Sequence, residues 1–351
     1  MRKKIIYFIV ASIVLQGIIF SLLNWKAEQL LNPFFRTDKA YKINIDLQKA
    51  DSFGLSYNNR FLALIIGGEM QIIDLVKNQV VYTSNNLALE DSVMLCYKWL
   101  PDRNSLVFLI RSKQANNNAE SLYSIDLQTV SLPGNTPEAK LNRIFNLSVQ
   151  EVSSIEISTY TNNLYILYRD KYAEQKLCKI DIMKNINSLN QPQEGIKAMS
   201  VSNKFGTVYL QSTGRDSNII YSLEGVEKKI IADNPADLLL GCLDEKVFIG
   251  EVRNNRLQTI NCLKRSENSG GQEVAVWQGD LVINSPEVLI CSDDKILFKD
   301  EKSLDIIYPD GRSDHKQIVE GTNIVLSPTG KMYLEIKPEN QESIYYWRSL
   351  D

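Results

Sequence analysis

The 351-residue sequence predicts an all-β chain: a single β-propeller of seven four-stranded blades, closed by an N-terminal strand and preceded by one transmembrane helix. Three observations carry this. Short strand-like runs with period-two alternation fill the chain from residue 41 onward, and turn residues punctuate them at even spacing. The unit that recurs is about 36–60 residues long, the range of a four-stranded propeller blade. The last unit is one strand short, while a spare strand stands at the front.

The spare strand is Tyr41–Leu47, in which Tyr41, Ile43, Ile45 and Leu47 share one face. The first unit follows, with Phe53–Tyr57, Phe61–Ile66, Met70–Leu75 and Val80–Thr83 separated by Asn58-Asn59-Arg60, Gly67-Gly68-Glu69 and Lys77-Asn78. Gly-Gly and Lys-Asn are turn chemistry between β-branched and aromatic runs. The second unit runs from Val93 through Trp99 and Leu106–Ile110 to Leu122–Leu127, with Arg143–Leu147 as its last strand. The third has Val152–Thr159, Asn163–Arg169 and Lys176–Ile182, and no clear fourth strand. The fourth has Ile196–Val201, Thr207–Gln211, Asn218–Leu223 and Lys228–Ala232. The fifth has Asp237–Leu243, Lys246–Val252, Arg256–Leu263 and Glu273–Trp277. The sixth has Glu287–Cys291, Lys295–Phe298, Ser303–Tyr308 and Lys316–Glu320. The seventh has Asn323–Leu326, Lys331–Ile336 and Ser343–Leu350. Pairing Tyr41–Leu47 with this last unit, at its outer edge, completes the ring. Closure matters because each blade buries its faces only against its neighbours. Weak repeats leave six or eight blades as alternatives to seven, and a pair of β-sandwiches is the competing architecture. The sandwiches do not account for the regular repeat or the spare strand.

The domain boundaries are a short tail (1–4), an anchor (5–25), a linker (26–40) and the propeller (41–351). Arg2, Lys3 and Lys4 precede an apolar run, Ile5–Trp25, that holds no charged residue. About 20 apolar residues suffice to cross a bilayer. The run exceeds the usual core of a signal peptide and no small-residue cleavage site follows it, so an uncleaved signal anchor is expected over a cleaved leader. The basic flank orients it with the C-terminal domain outside the cytoplasmic membrane.

The formal net charge of −3 gives no reason to expect a nucleic-acid partner. Five widely spaced cysteines, Cys96, Cys178, Cys242, Cys262 and Cys291, are no disulfide framework; each sits in an apolar run and reads as a small buried hydrophobe. Free thiols outside the cytoplasm suit a cell that lives without oxygen.

Trp99-x-Pro101-Asp102-x-x-Ser105-Leu106-Val107-Phe108, followed by Leu122-Tyr123-Ser124-Ile125-Asp126-Leu127, resembles the blade of TolB-like propellers and of the N-terminal propeller of the dipeptidyl peptidase IV class. Met70-Gln71-Ile72-Ile73-Asp74-Leu75 and Leu177-Cys178-Lys179-Ile180-Asp181-Ile182 match the second half of that signature, and Ser327-Pro328-Thr329-Gly330-Lys331 the first half. The resemblance implies the fold and says little of activity, since propellers host many unrelated functions. The Tol-system member carries an α/β domain where this chain has its apolar run.

No residue stands out as catalytic, cofactor-binding or metal-ligating. The single histidine, His315, follows Gly311 in an expected polar turn and reads as a surface residue. No Gly-x-Ser-x-Gly elbow, Cys-x-x-Cys or His-Glu-x-x-His is present. Asp293, Asp294 and Asp310 fall in turns, where Asp bonds its own backbone. Tyr123, Tyr165, Tyr209, Tyr221, Tyr333, Tyr345 and Tyr346 lie within strands and are expected to pack between blades. Long polar insertions at Ser112–Glu120, Gln128–Leu141 and Lys264–Gly271 have an Asn-, Ser- and Gly-rich composition that suggests mobility first and binding second; the first falls on the face where propellers usually bind and the other two on the opposite face. The expected function is a membrane-tethered, non-enzymatic binding or scaffold module for a protein or cell-envelope ligand. A glycan hydrolase or lyase with carboxylates in the propeller mouth, or the ectodomain of a signalling complex, is the alternative.

Overall fold

In the computed structural model the described residues are 15–23, 40–43, 50–84, 92–112, 119–127, 139–148, 150–181, 183–189, 195–213, 218–225, 227–264, 272–283, 287–291, 293–328, 330–339 and 342–350. They form seven four-stranded antiparallel sheets.

Strand β1 (Ala40–Ile43) comes first. Sheet 1 holds β2–β5 (Ala50–Leu55, Phe61–Ile66, Glu69–Asp74, Gln79–Thr83), and sheet 2 holds β6–β9 (Ser92–Trp99, Ser105–Ser112, Ala119–Leu127, Ala139–Ser148). Sheet 3 holds β10–β13 (Glu151–Ser158, Asn163–Arg169, Gln175–Ile180, Ile186–Ser188), and sheet 4 holds β14–β17 (Gly195–Val201, Val208–Thr213, Asn218–Glu224, Glu227–Ala232). Sheet 5 holds β18–β21 (Asp237–Leu243, Lys246–Arg253, Arg256–Lys264, Gln272–Val282), and sheet 6 holds β22–β25 (Glu287–Ile290, Ile296–Lys299, Ser303–Ile307, Ser313–Gln317). Sheet 7 holds β26–β28 (Asn323–Leu326, Met332–Glu339, Glu342–Ser349), and β1 adds to it beside β28.

Each sheet is a meander whose first strand lies innermost and whose last lies outermost. The second strands are apolar on both faces because both faces are covered. In β3, Leu62 and Leu64 pack against Leu334 and Trp347 of sheet 7, while Phe61 and Ala63 pack against Trp99 and Phe108 of sheet 2. In β7, Leu106, Phe108 and Ile110 face sheet 1, and Val107 and Leu109 face Ile155 and Ile166 of sheet 3. The same wedge recurs with Leu167, Met199 and Leu210 between sheets 3 and 4, and with Tyr209, Leu239 and Ile249 between sheets 4 and 5. Phe248, Trp277 and Phe298 fill the next gap, and Leu297, Leu326 and Leu350 the one after it. The clusters run right round the ring, so the fold is a closed β-propeller. Each fully buried Leu or Phe contributes about 1.5–3 kcal/mol.

Closure is made by β1. It pairs antiparallel with β28, Tyr41 opposite Tyr345 and Ile43 opposite Ser343, at the outer edge of sheet 7. The strand expected over 41–47 is described for Ala40–Ile43; residues 44–49 lie outside the described residues. Two long-range bonds reinforce the seam: Tyr345 Oη donates to Leu75 O at 2.9 Å, and Ser327 Oγ to Asn59 Oδ1 at 2.7 Å.

The turns joining first to second strands lie on one face, here the lower. Residues with positive φ fill them at Asn59, Asn162, Gly206, Asp244, Asp294 and Gly330, which accounts for the regular Asn, Asp and Gly of the repeat. Gly330 is the most constrained: a Cβ there would meet Cys291 Sγ at 2.1 Å, across the interface of sheets 6 and 7. Asp74, in the Ile-Asp-Leu motif, caps the turn after the third strand by accepting from Val76 N at 2.9 Å. It also pairs with Arg60 Nη2 at 2.8 Å, buried. Asp181 caps the equivalent turn by accepting from Asn185 N at 2.9 Å.

Two expectations need correction. The fourth strand of the sixth unit is Ser313–Gln317, not Lys316–Glu320, so His315 lies within a strand and not in a turn. The cause is a tight turn: Gly311 N bonds Tyr308 O and Tyr308 N bonds Arg312 O, so pairing resumes at once. The third unit does have a fourth strand, the three-residue Ile186–Ser188, exposed along its length and so without an alternation to read.

Of the expected anchor, residues 15–23 are described; they are helical and exposed, and the rest of Ile5–Trp25 lies outside the described residues. Among the described residues no helix is long and apolar enough to cross a membrane.

Removing residues 1–39 is expected to leave a folded domain. Removing 1–49 bares the β28 edge and should lower the melting temperature and promote aggregation, because an unpaired strand edge recruits other chains. Thermal unfolding and light scattering of the two truncations check this; equal stability would count against closure by β1.

Candidate functional site in the groove between sheets 6 and 7

On the upper face, where second strands turn into third strands and one sheet leads to the next, a cavity of about 1450 Å³ opens between sheets 6 and 7. Its walls come from the β23–β24 turn (Lys299, Asp300, Glu301, Lys302) and from the β25–β26 connection (Gln317 to Asn323). Sequence dictates both walls locally. Asp300 accepts from Lys302 N at 2.7 Å, Ser303 N at 2.6 Å and Ser303 Oγ at 3.1 Å, an Asx turn that holds the hairpin tip rigid. Burial works to raise the Asp300 carboxyl, but these bonds prevail and hold it below the usual carboxylate range. The opposite wall is anchored from beneath by Ile318 and Ile324, both buried, with Ile318 N bonded to Lys302 O at 2.7 Å. Toward the axis, Lys299 Nζ pairs with Glu287 Oε2 at 2.9 Å.

His315 lies one strand pair away on the outer strand β25, opposite Asp305 in register. His315 Nδ1 and Asp305 Oδ1 are 2.7 Å apart, and Ser303 Oγ, whose single proton is shared between Asp300 and Asp305, lies 3.2 Å from Asp305 Oδ2. Ser, Asp and His thus meet, but with the carboxylate in the middle. A hydrolytic triad needs the imidazole between hydroxyl and carboxylate to take the hydroxyl proton. Here Asp305, buried in β24, is bonded by Ser303 and His315 at once, so the arrangement fastens the outer strand and activates no nucleophile.

The remaining acids are distributed, not gathered. Asp293 pairs with Lys295 Nζ at 3.2 Å, Asp294 with Lys246, and Asp310 with Arg312 Nε at 2.7 Å. Among the described residues no group of three His, Cys, Asp or Glu is placed to hold a metal ion. Near the lower ends of the innermost strands, Lys98 Nζ on β6 meets Glu156 Oε1 on β10 at 2.8 Å, and Ser200 Oγ lies 3.1 Å from Cys242 Sγ. The strand tyrosines act as packing and fastening groups: Tyr165 Oη donates to Gly206 O of the next sheet at 2.8 Å, and Tyr209, Tyr221 and Tyr345 are buried. The side chain of Tyr123 lies outside the described residues. So do the central residues of the three polar insertions, which join β7 to β8, β8 to β9 and β20 to β21.

The groove was not singled out from sequence. Its signal was Asp300-Glu301-Lys302-Ser303, a short charged turn that looks like any other hairpin tip.

No family model matches the chain, and no curated protein matches it either. Its fold is similar to solved structures. A chain of hydrazine synthase from Kuenenia stuttgartiensis aligns over 90% of this chain and 100% of its own, with a TM-score of 0.54 and 12% identity. A catalytically inactive virginiamycin B lyase from Staphylococcus aureus, with quinupristin, aligns over 89% and 99%, with a TM-score of 0.55 and 12% identity. At this identity the likeness is one of fold alone.

Burial pushes the thiols of Cys178, Cys242 and Cys291 up to about 12. The thiolate is the reactive form. Iodoacetamide at pH 8 should therefore label these three at least tenfold more slowly in the folded chain than after unfolding, by roughly the thiolate deficit. Mass spectrometry of the digested protein reads this out, and rapid native labelling of Cys242 would contradict it.

Proposed function

We propose that the chain is a non-enzymatic binding propeller, tethered by Ile5–Trp25 to the outer side of a bacterial cytoplasmic membrane, that holds a protein or cell-envelope ligand in the groove between sheets 6 and 7. The observation that carries this reading is the groove's make-up. Its rim offers Lys302, Glu301, Glu320, Gln317 and Asn323 on two walls whose backbones are fixed by the Asp300 turn and by Ile318 N on Lys302 O, so groups of both signs are presented around one concavity on a closed scaffold. A concavity with a few polar groups converging on it is the common form of a binding site. The Trp-x-Pro-Asp and Asp-Leu motifs make a TolB-like lineage the preferred family reading.

The glycan-enzyme reading has one observation on its side. Asp51, Glu151, Asp237 and Glu287 stand at or near the upper ends of β2, β10, β18 and β22, around the mouth. Glu287 is spoken for by Lys299, and Glu151 lies 3.6 Å from Arg169 Nε.

The test is binding of soluble cell-wall glycan fragments and a peptide library to the purified full chain, followed by isothermal titration. A saturable ligand should lose roughly tenfold or more in affinity with Lys302→Glu and Glu320→Lys together, as for central polar contacts, and keep its affinity with His315→Ala. Turnover of a fragment that depends on Glu151 or Asp237 would replace this reading with the enzymatic one.

A further inference from the structure

The lower face carries exposed apolar side chains at the tips of its turns. Tyr57, Tyr160 and Phe205 lie in the turns between first and second strands, and Val76 and Met183 in those between third and fourth strands. Tyr160 is 72% exposed and Met183 76%. These side chains are presented, not frayed. Thr159 N and Thr159 Oγ1 both donate to Asn203 Oδ1, at 2.7 and 3.0 Å, which ties the Tyr160 turn to the Phe205 turn. Basic side chains stand among them: Lys204 lies 5.2 Å over the Phe205 ring and 3.6 Å from Glu245 Oε2, and Lys77 and Lys184 follow Val76 and Met183. Tyr and Phe tips with interleaved lysines are the composition of a surface that meets the headgroup layer of a bilayer.

The direction of the chain says what covers this face. β1 runs antiparallel to β28, and β28 ends at the lower face, so β1 climbs from the lower toward the upper side. Ala40, the start of β1, therefore stands at the lower side. Only residues 26–39 separate it from the apolar run Ile5–Trp25. Even fully extended, that linker reaches about 50 Å.

We infer that the lower face lies on the membrane surface, with Tyr57, Tyr160 and Phe205 at the headgroup level, so that the groove between sheets 6 and 7 faces away from the bilayer. The occupant is a lipid surface. This rests on the membrane-tethered reading above and adds an orientation to it: ligands arrive from the envelope side.

The experiment uses the full chain reconstituted into phosphatidylcholine–phosphatidylglycerol vesicles, with part of the lipid brominated on its acyl chains. Tryptophan is introduced singly as Tyr160→Trp, Phe205→Trp and, on the upper face, Tyr172→Trp, and the parent emission is subtracted. The added emission at 160 and 205 should be blue-shifted and quenched roughly twofold or more relative to that at 172, as for interfacial side chains. If the chain floats with the vesicles but 160 and 205 are no more quenched than 172, the orientation is wrong and the tether stands; a lower face occupied by another protein gives this same result. If the chain does not float with the vesicles, the tether itself falls and the orientation with it.

Discussion

Every sheet of this molecule depends on the sheet beside it. A four-stranded meander with an apolar run such as Phe61-Leu62-Ala63-Leu64-Ile65 in its second strand has two faces to bury and can cover neither alone. The propeller solves this only as a closed ring, so the seam between sheets 7 and 1 decides the whole. At that seam Trp347 and Tyr345 pack on Leu64 and Ile73, Tyr345 Oη bonds Leu75 O, and β1 covers the outer edge of β28. An open seam would wet both faces together.

A second set of contacts fixes the spacing of the sheets. Polar groups in the lower turns reach from each sheet to the next: Ser158 Oγ to Asn203 O and Ser202 Oγ to Asp244 O, both at 2.5 Å, and Asn58 N to Asn104 Oδ1 at 3.1 Å. Lys246 with Asp294 continues the series. Trp99 adds its indole N–H to Gly54 O at 2.9 Å, which explains why a Trp ends the inner strand ahead of the Pro-Asp turn. Such bonds each contribute about 0.5–1.5 kcal/mol, less than the apolar wedges, but they are directional. The lower turns are thus tied from sheet to sheet, which suits that face to set the orientation of the domain.

Much of this was legible in the sequence. Period-two runs located most of the strands, and Asn58 and Asp293 marked turns whose left-handed residues prove to be Asn59 and Asp294. The missing strand of the last unit pointed to β1. What escaped notice had no local signal. Ile186–Ser188 is exposed and too short to alternate, and Ser313–Gln317 is polar, so His315 read as a turn residue. The register shifts in β2, β6, β10, β14 and β18, which leave Asp51, Leu95, Ser153, Lys197 and Leu240 unpaired, were equally invisible. A bulge bends a strand, and these bend the strands nearest the axis, where curvature is demanded by the ring and not by any residue type. The groove is likewise a product of two distant segments, Lys299–Lys302 and Gln317–Ile324, which only the ring brings together.

The closed ring is tested most directly by native-state hydrogen exchange at the seam. The account predicts that the paired amides of Tyr41–Ile43 exchange slowly and open together with those of β28, as one unit with the rest of sheet 7. Exchange of Tyr41–Ile43 at the rate of free chain, with β28 still protected, would show that the ring closes without its first strand and would contradict the account.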